Sequence, residues 1–262
     1  MDKNIEISRI GIIVIQSLRE GDQKTGEEVY NTFIKDKVTE NAEFFHDFRN
    51  VKNKAEFLEY FRELDAIFEE GTLCTIHLET HGSEDGICLS SNEIVTWKEF
   101  YDVIRPINIK MHNLLVIVMA MCYGAALMSY LEPDKRAPFL CFVGSTRKEY
   151  EHNISRGFKE FYAVYTSPLD IAKAMPLLKG ETLDQEGKSH FWVMKASDVF
   201  DAVMNPDRGP AAFSQMASAI FVNEKMRGRD CTKDEIENKM RERMISDANA
   251  YRDYFTFADY YK

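Results

Sequence analysis

The fold is decided by two short stretches of this chain, LCTIHLETHG at residues 73–82 and LLVIVMAMCYG at residues 114–124. The first alternates apolar and polar residues, and the second is almost purely apolar until it reaches Cys122. Both patterns predict buried β-strands, and the second predicts a strand buried on both faces. Open α/β sheets carry their chemistry beyond the carboxyl ends of the strands. We therefore expect His81 and Cys122, at the two strand ends, to lie side by side.

Predicted strands and helices alternate along the rest of the chain. Apolar runs predict further strands at 10–15, 42–48, 138–143 and 190–195, and a small hairpin over 87–95. Apolar residues at helical spacing predict helices over 29–38, 57–68, 97–106, 124–131, 154–166, 168–178, 210–227 and 233–250. We expect one α/β domain with a mostly parallel sheet at residues 1–205, and a helical extension packed on it at residues 206–262.

The composition argues against several classes of function. A formal net charge of −10 disfavours binding to nucleic acid or to an anionic membrane, and the apolar run at 114–121 is too short to span a bilayer. The five cysteines are scattered and include no C-x-x-C pair, which fits neither a disulfide framework nor a zinc site. Without a signal-peptide pattern or a nucleotide-binding motif, we expect a cytoplasmic protein that uses no cofactor.

A cysteine and a histidine at neighbouring strand ends are the parts of a nucleophile and its base. Cys122 precedes a predicted helix, whose N-terminus would stabilise a thiolate, and its own amide can point at a developing oxyanion. His81 can accept the thiol proton and later protonate a leaving amine. Gly82 lets a substrate carbonyl approach the backbone and offers a second amide. The competing interpretation makes Cys122 a buried packing residue and His81 a turn residue.

A metal site is a second alternative in the same strand. His77, Glu79 and His81 alternate, so their side chains project to one face, and all three are metal-ligand types. No further cluster of Asp and His obviously completes a ligand set, and interior parallel strands are normally covered by helices. His77 and Glu79 are then polar groups satisfied inside the core. We expect no metal, and keep a metal-dependent hydrolase as the weaker alternative.

Several motifs resemble one known family. They are Gln16-Ser17-Leu18, Lys24-Thr25-Gly26, Thr80-His81-Gly82, Gly86-Ile87, the segment from Ile94 to Phe100, Ile107-Asn108, Met121-Cys122-Tyr123-Gly124, and the segment from Phe142 to Thr146. In this order they resemble the caspase-like (clan CD) cysteine proteases, most closely the bacterial CHAT-type branch. The resemblance covers roughly residues 9–175, and the strand-Cys-x-Gly motif after a His-Gly strand end is its most specific part.

The resemblance implies a fold, an activity and a set of site residues. The fold is a three-layer α-β-α sandwich, and the activity is endopeptidase cleavage of a protein or peptide by a dyad of His81 and Cys122. The backbone amides of Gly82 and Cys122 form the implied oxyanion hole, and the peptide lies extended along the sheet edge near the segment after Gly144. The residues expected to contact substrate are Gly144, Ser145 and the loop candidates Arg19, Glu20 and Asp22.

Bacterial relatives of this type act in anti-phage defence, where a triggered protease cuts a partner such as a gasdermin-like pore former. The resemblance therefore implies a separate activator or regulatory protein. The chain also departs from the caspase pattern: Tyr123 stands where many caspases carry arginine, so the resemblance does not carry aspartate preference over to this chain. The span from Cys122 to Phe139 is too short for a processing linker, so we expect the chain to work uncut, with the loop at 180–189 as the weaker candidate for cleavage. A catalytically silent adaptor with the same fold is the alternative.

Overall fold

The computed structural model describes residues 6–37, 43–165, 170–204, 225 and 230–261. The strands are β1 (Arg9–Ser17), β2 (Glu43–Asn50), β3 (Thr72–Gly82), β4 (Gly86–Cys88), β5 (Ile94–Thr96), β6 (Leu115–Ala120), β7 (Cys141–Ser145) and β8 (Phe191–Lys195). The helices are α1 (Thr25–Val29), α2 (Lys54–Ile67), α3 (Trp97–Lys110), α4 (Glu151–Val164), α5 (Ile171–Glu181), α6 (Ala196–Val203) and α7 (Lys233–Phe255). A π-helical turn spans Tyr30–Ile34 and a 3-10 helix spans Gly124–Tyr130.

One sheet organises these elements in the order β2-β1-β3-β6-β7-β8. The pairs from β2 to β7 are parallel, and β8 joins β7 in antiparallel orientation. The predicted hairpin is present as β4 and β5, and β4 pairs with the last residues of β3. The prediction of an α/β fold with a mostly parallel central sheet is confirmed. The carboxyl ends of β1, β3, β6 and β7 consequently meet at one edge.

Strand β3 shows how the helices cover both faces of the sheet. Its apolar residues join a core cluster with residues of α2 and α3. Its polar residues face α4: Thr75 Oγ1 lies 2.7 Å from Tyr165 Oη, and the His77 ring packs edge-on against Phe158 and Tyr162, with 5.3 Å between centroids in each case. The predicted alternation is therefore correct. The polar face is nevertheless buried, because it lies under a helix, where Thr75 pairs with Tyr165 and His77 Nε2 pairs with Glu79.

The helices predicted over 97–106 and 29–38 differ in their ends from the observed ones. The helix expected to end near Pro106 continues through this proline to Lys110, and its predicted capping box between Thr96 and Glu99 is confirmed. The missing N–H of a proline costs one intrahelical hydrogen bond, which the buried apolar face of α3 outweighs here. The helix expected over 29–38 begins earlier, at Thr25, and changes to a π-helical turn after Val29.

The C-terminal part of the described chain contacts the core. The Ala137 amide donates a hydrogen bond of 3.0 Å to the carbonyl of Phe255, whose side chain is fully buried. The capping box predicted at Thr232 is present at the start of α7. The predicted helix over 210–227 falls almost entirely outside the described residues, so the domain boundary at 205 stays a prediction. Among the described residues, no helix combines the length and the apolar character needed to cross a membrane.

Candidate active site

The register between β3 and β6 brings the two predicted strand ends together. Glu79 is paired with Ala120, and His81 and Cys122 each lie two residues farther along parallel neighbours. Adjacent strands are roughly 4.8 Å apart. The approach is tight: a Cβ added to Gly82 would overlap the backbone oxygen of Cys122. Position 82 therefore requires glycine, because any side chain there would clash with the backbone of Cys122.

Replacing Gly82 with alanine is expected to force the ends of β3 and β6 apart, because the backbone oxygen of Cys122 cannot rotate away from the added methyl group. We expect the free energy of unfolding to fall by about 1–3 kcal/mol, measured by chemical denaturation. The matched control is Gly180→Ala in α5, where an added Cβ meets nothing within 4 Å. Equal losses of stability in the two variants would contradict the close approach.

A cavity of about 300 Å³ opens over this edge of the sheet. Residues that end or follow four parallel strands line it: Asp22 after β1, His81 at the end of β3, Cys122 after β6 and Glu149 after β7. The start of α4 closes its side with Glu151 and Ile154. The predicted position of the site, beyond the carboxyl ends of the strands, is where this cavity lies.

His81 is held by Asp22 inside this cavity. Its Nε2 lies 2.8 Å from Asp22 Oδ2, which also accepts a hydrogen bond of 2.7 Å from the Arg19 amide. Partial burial opposes ionisation of Asp22, but the hydrogen bonds from His81 and Arg19 outweigh it and hold the pKa of this carboxyl below its ordinary value. An ionised carboxylate only accepts hydrogen bonds, so the proton of a neutral His81 ring belongs on Nε2 and the lone pair on Nδ1.

Cys122 is held by the loop after β7. Its Sγ accepts a hydrogen bond from the Glu149 amide at 3.3 Å and donates one to the Glu149 carbonyl at 3.6 Å. The next residue, Tyr123, has a left-handed backbone with φ of 56°, and its amide donates to the Arg147 carbonyl at 3.0 Å. A backbone N–H aimed at sulfur stabilises a thiolate in the same way that a helix N-terminus does.

The helix predicted over 124–131 is present after Cys122 as a 3-10 helix of 7 residues, Gly124–Tyr130. It begins two positions after Cys122, behind the left-handed Tyr123, so Cys122 is not itself its first residue. The sulfur takes its backbone donor from Glu149 instead. Sequence reasoning missed this residue, although one signal was present: Lys148 and Glu149 follow a predicted strand at the same edge as His81 and Cys122.

Of the residues expected to contact substrate, some line the cavity and others do not. Gly144 is buried against the start of the 3-10 helix, and Ser145 is fully buried, where its Oγ donates to Glu149 Oε1 at 2.9 Å. The side chain of Arg19 is exposed, and its contact with the site is its backbone amide. Among these described residues, Asp22 is the one that lines the cavity, and it does so paired with His81. Gly144 and Ser145 instead shape the loop that carries Glu149.

The histidines and glutamate of β3 do not form a metal centre. His77 is fully buried and its Nε2 lies 3.2 Å from Glu79 Oε2, whereas His81 pairs with Asp22. Within the described parts of the chain, no group of three or more His, Cys, Asp and Glu residues is arranged to hold a metal ion. The alternative of a metal-dependent hydrolase gains no geometric support.

Comparison with known proteins gives no family for this chain. Neither a scan against protein-family models nor a search of curated proteins finds a match. The function has to follow from the residues of the site and their geometry.

Proposed function

We propose that this chain is a cysteine endopeptidase with Cys122 as its nucleophile and His81 as its general base. The observation that supports this proposal is the shared cavity, where Cys122 is held by a backbone donor and His81 by a carboxylate. A thiol that shares a cavity with an imidazole oriented by a third group has the parts of an activated nucleophile. Both side chains are partly exposed, as attack on a substrate from solution requires.

The proposed reaction begins with transfer of the Cys122 thiol proton to His81. The thiolate attacks the substrate carbonyl carbon, a C–S bond forms, and the negative charge moves to the carbonyl oxygen. His81 then gives its proton to the amide nitrogen, the C–N bond breaks, and the amine leaves. Water, deprotonated by His81, attacks the remaining thioester. This second step releases the carboxylic acid and restores the Cys122 thiol.

The proposed oxyanion hole consists of the backbone amides of Gly82 and Cys122. The close approach of the Gly82 and Cys122 backbones supports this proposal, because it keeps the two amides in one small region at the strand ends. Backbone donors fixed before the reaction stabilise the oxyanion without reorganising, and the loss of one such donor costs about 10²–10³-fold in rate.

Asp22 is proposed as the residue that orients His81. The Asp22→Asn variant is expected to lower kcat by about tenfold or more while KM changes little, because the imidazole loses its tautomer and its orientation. Asp22→Glu, which keeps the carboxylate, is expected to recover part of the rate. A rise in KM at unchanged kcat would instead assign Asp22 to substrate binding. Steady-state kinetics on one peptide separates the two outcomes.

The wider biological part of the proposal rests on the resemblance to bacterial CHAT-type proteases. In it, a second protein triggers the protease during anti-phage defence, and a gasdermin-like pore former is the substrate. The geometry of the site supports the cysteine chemistry of this proposal. The trigger and the target of the protease are proposed from the resemblance alone.

Incubation of the protein with a quenched fluorescent peptide library tests the proposed activity, with and without a chelator and with and without iodoacetamide. The expected result is cleavage that iodoacetamide abolishes and the chelator leaves unchanged. Cleavage lost with chelator would support metal chemistry at β3. A chain that cleaves no peptide, even when a neighbouring gene product is added as activator, would favour the silent adaptor.

A further inference from the structure

The cavity beside Cys122 is acidic. Four of its lining residues carry carboxyl groups, Asp22, Glu79, Glu149 and Glu151, against the single lysine Lys148. Lys148 is exposed, so its ammonium group can stay in solvent. Such a cavity favours a cationic guest and repels an acidic one.

Three of these carboxylates each have one oxygen paired within the protein. Glu79 Oε2 faces His77 Nε2 at 3.2 Å, Glu149 Oε1 accepts from Ser145, and Glu151 Oε1 accepts from the Gln23 amide at 2.6 Å. Within the described part of the chain, no donor is hydrogen-bonded to Glu79 Oε1, Glu149 Oε2 or Glu151 Oε2. These oxygens remain available to a donor that enters the cavity.

Glu79 is the most informative of the three because it is only 5% exposed. A carboxylate this deeply buried is costly unless a cation or several donors meet it. It stands on β3 two residues before His81, so both side chains project to the same face. Of its two neighbours across the strands, Gln16 and Ala120, the small Ala120 lines the cavity with it. Glu79 therefore lies deeper in the cavity than the partly exposed Cys122.

The walls of the cavity suit a long side chain with a charged head. Leu18, Ala120, Met121 and Ile154 line it together with the carboxylates. Lysine and arginine bury an apolar stem and carry their charge at the tip. A side chain that enters beside Cys122 would lay its stem on these residues and bring its head to Glu79.

We infer that this cavity binds a lysine or arginine side chain of the substrate, on the residue whose carbonyl carbon Cys122 attacks. Arginine is the better guest, since its planar guanidinium can donate to two carboxylates at once. The inference rests on the proposed cysteine endopeptidase and adds the class of substrate.

Peptidyl acyloxymethyl ketones that differ only in this residue test the inference. We compare arginine, its uncharged isostere citrulline, and aspartate, and measure the rate of labelling of Cys122. Arginine is expected to label at least about tenfold faster than citrulline, with aspartate slowest. Glu79→Gln and the exposed Glu151→Gln are expected to reduce the arginine rate and to leave the citrulline rate nearly unchanged. Glu160→Gln, on the exposed surface of α4, is the matched control and should keep the preference.

The outcomes separate this inference from the proposed function. Equal labelling by arginine and citrulline overturns the cationic preference while the cysteine chemistry stands. If no probe labels Cys122, the proposed function fails. The inference is then tested by peptide affinity, measured by titrating the Cys122→Ala variant with the arginine peptide and with the citrulline peptide. Tighter binding of arginine that is weakened by Glu151→Gln supports it. Equal affinity, or binding of neither peptide, overturns it. Because Glu151 is exposed, this comparison does not depend on whether Glu79→Gln folds.

Discussion

Replacing Cys122 with alanine is expected to abolish peptide cleavage and to leave the fold intact. The variant loses the sulfur that forms the thioester, so water must attack the peptide directly, and kcat falls by about 10⁴-fold or more. The Cys122 side chain is partly exposed and its two hydrogen bonds are weak sulfur contacts, so stability should change little. Steady-state cleavage and a denaturation curve measure the two quantities.

The matched control for this variant is Cys231→Ala. Cys231 is also a free, partly exposed cysteine, but it lies just before α7 and away from the cavity. It is expected to keep full activity. Cleavage that survives in Cys122→Ala and disappears in Cys231→Ala would move the nucleophile to a different part of the chain.

Replacing His81 with alanine is expected to lower kcat by about 10²–10⁴-fold, because the reaction loses both the base for the thiol and the acid for the leaving amine. Added imidazole should restore part of the rate, since the space left by the ring opens onto the cavity. The control is His46→Ala: His46 is exposed on the edge strand β2, where its ring contacts Tyr30. Equal losses in both histidine variants would point to destabilisation and would contradict a catalytic role for His81.

Combining Cys122→Ala with His81→Ala gives a second check. Residues that act in one step are strongly non-additive, so the double variant should be no slower than Cys122→Ala alone. Losses that multiply would show that the two side chains act independently.

The apolar runs were sufficient to predict the sheet. The continuous run at 114–121 and the alternating run before His81 predict strands whose pairing follows from the general rules of α/β sheets. The prediction that His81 and Cys122 lie at one edge needs nothing beyond parallel strand direction. Both residues were therefore accessible from sequence, and the structure places them in one cavity.

The partners of these two residues were not accessible in the same way. The prediction ended β7 at residue 143, whereas the strand continues to Ser145. The resemblance assigned Gly144 and Ser145 to substrate contact, whereas in the structure both belong to β7, and the loop that reaches the cavity begins after them and presents Glu149. Strand boundaries depend on pairing with β6 and β8, which a local pattern does not contain.

Asp22 illustrates a different difficulty. The prediction placed it near the substrate, and the structure brings it into the cavity, but its partner there is His81, a residue distant in sequence. Loop conformation sets such contacts. The hydrogen bond from the Arg19 amide fixes the Asp22 carboxylate, and no periodic pattern in the loop signals that bond.

The most direct test of the central proposal is the mass of the protein after reaction with the arginine acyloxymethyl ketone, followed by peptide mapping. The proposed mechanism predicts a single adduct whose added mass equals that of the probe minus the carboxylic acid it releases, located on Cys122 and absent in both Cys122→Ala and His81→Ala. An adduct on a different cysteine, or labelling of Cys122 that is unchanged in His81→Ala, would contradict it.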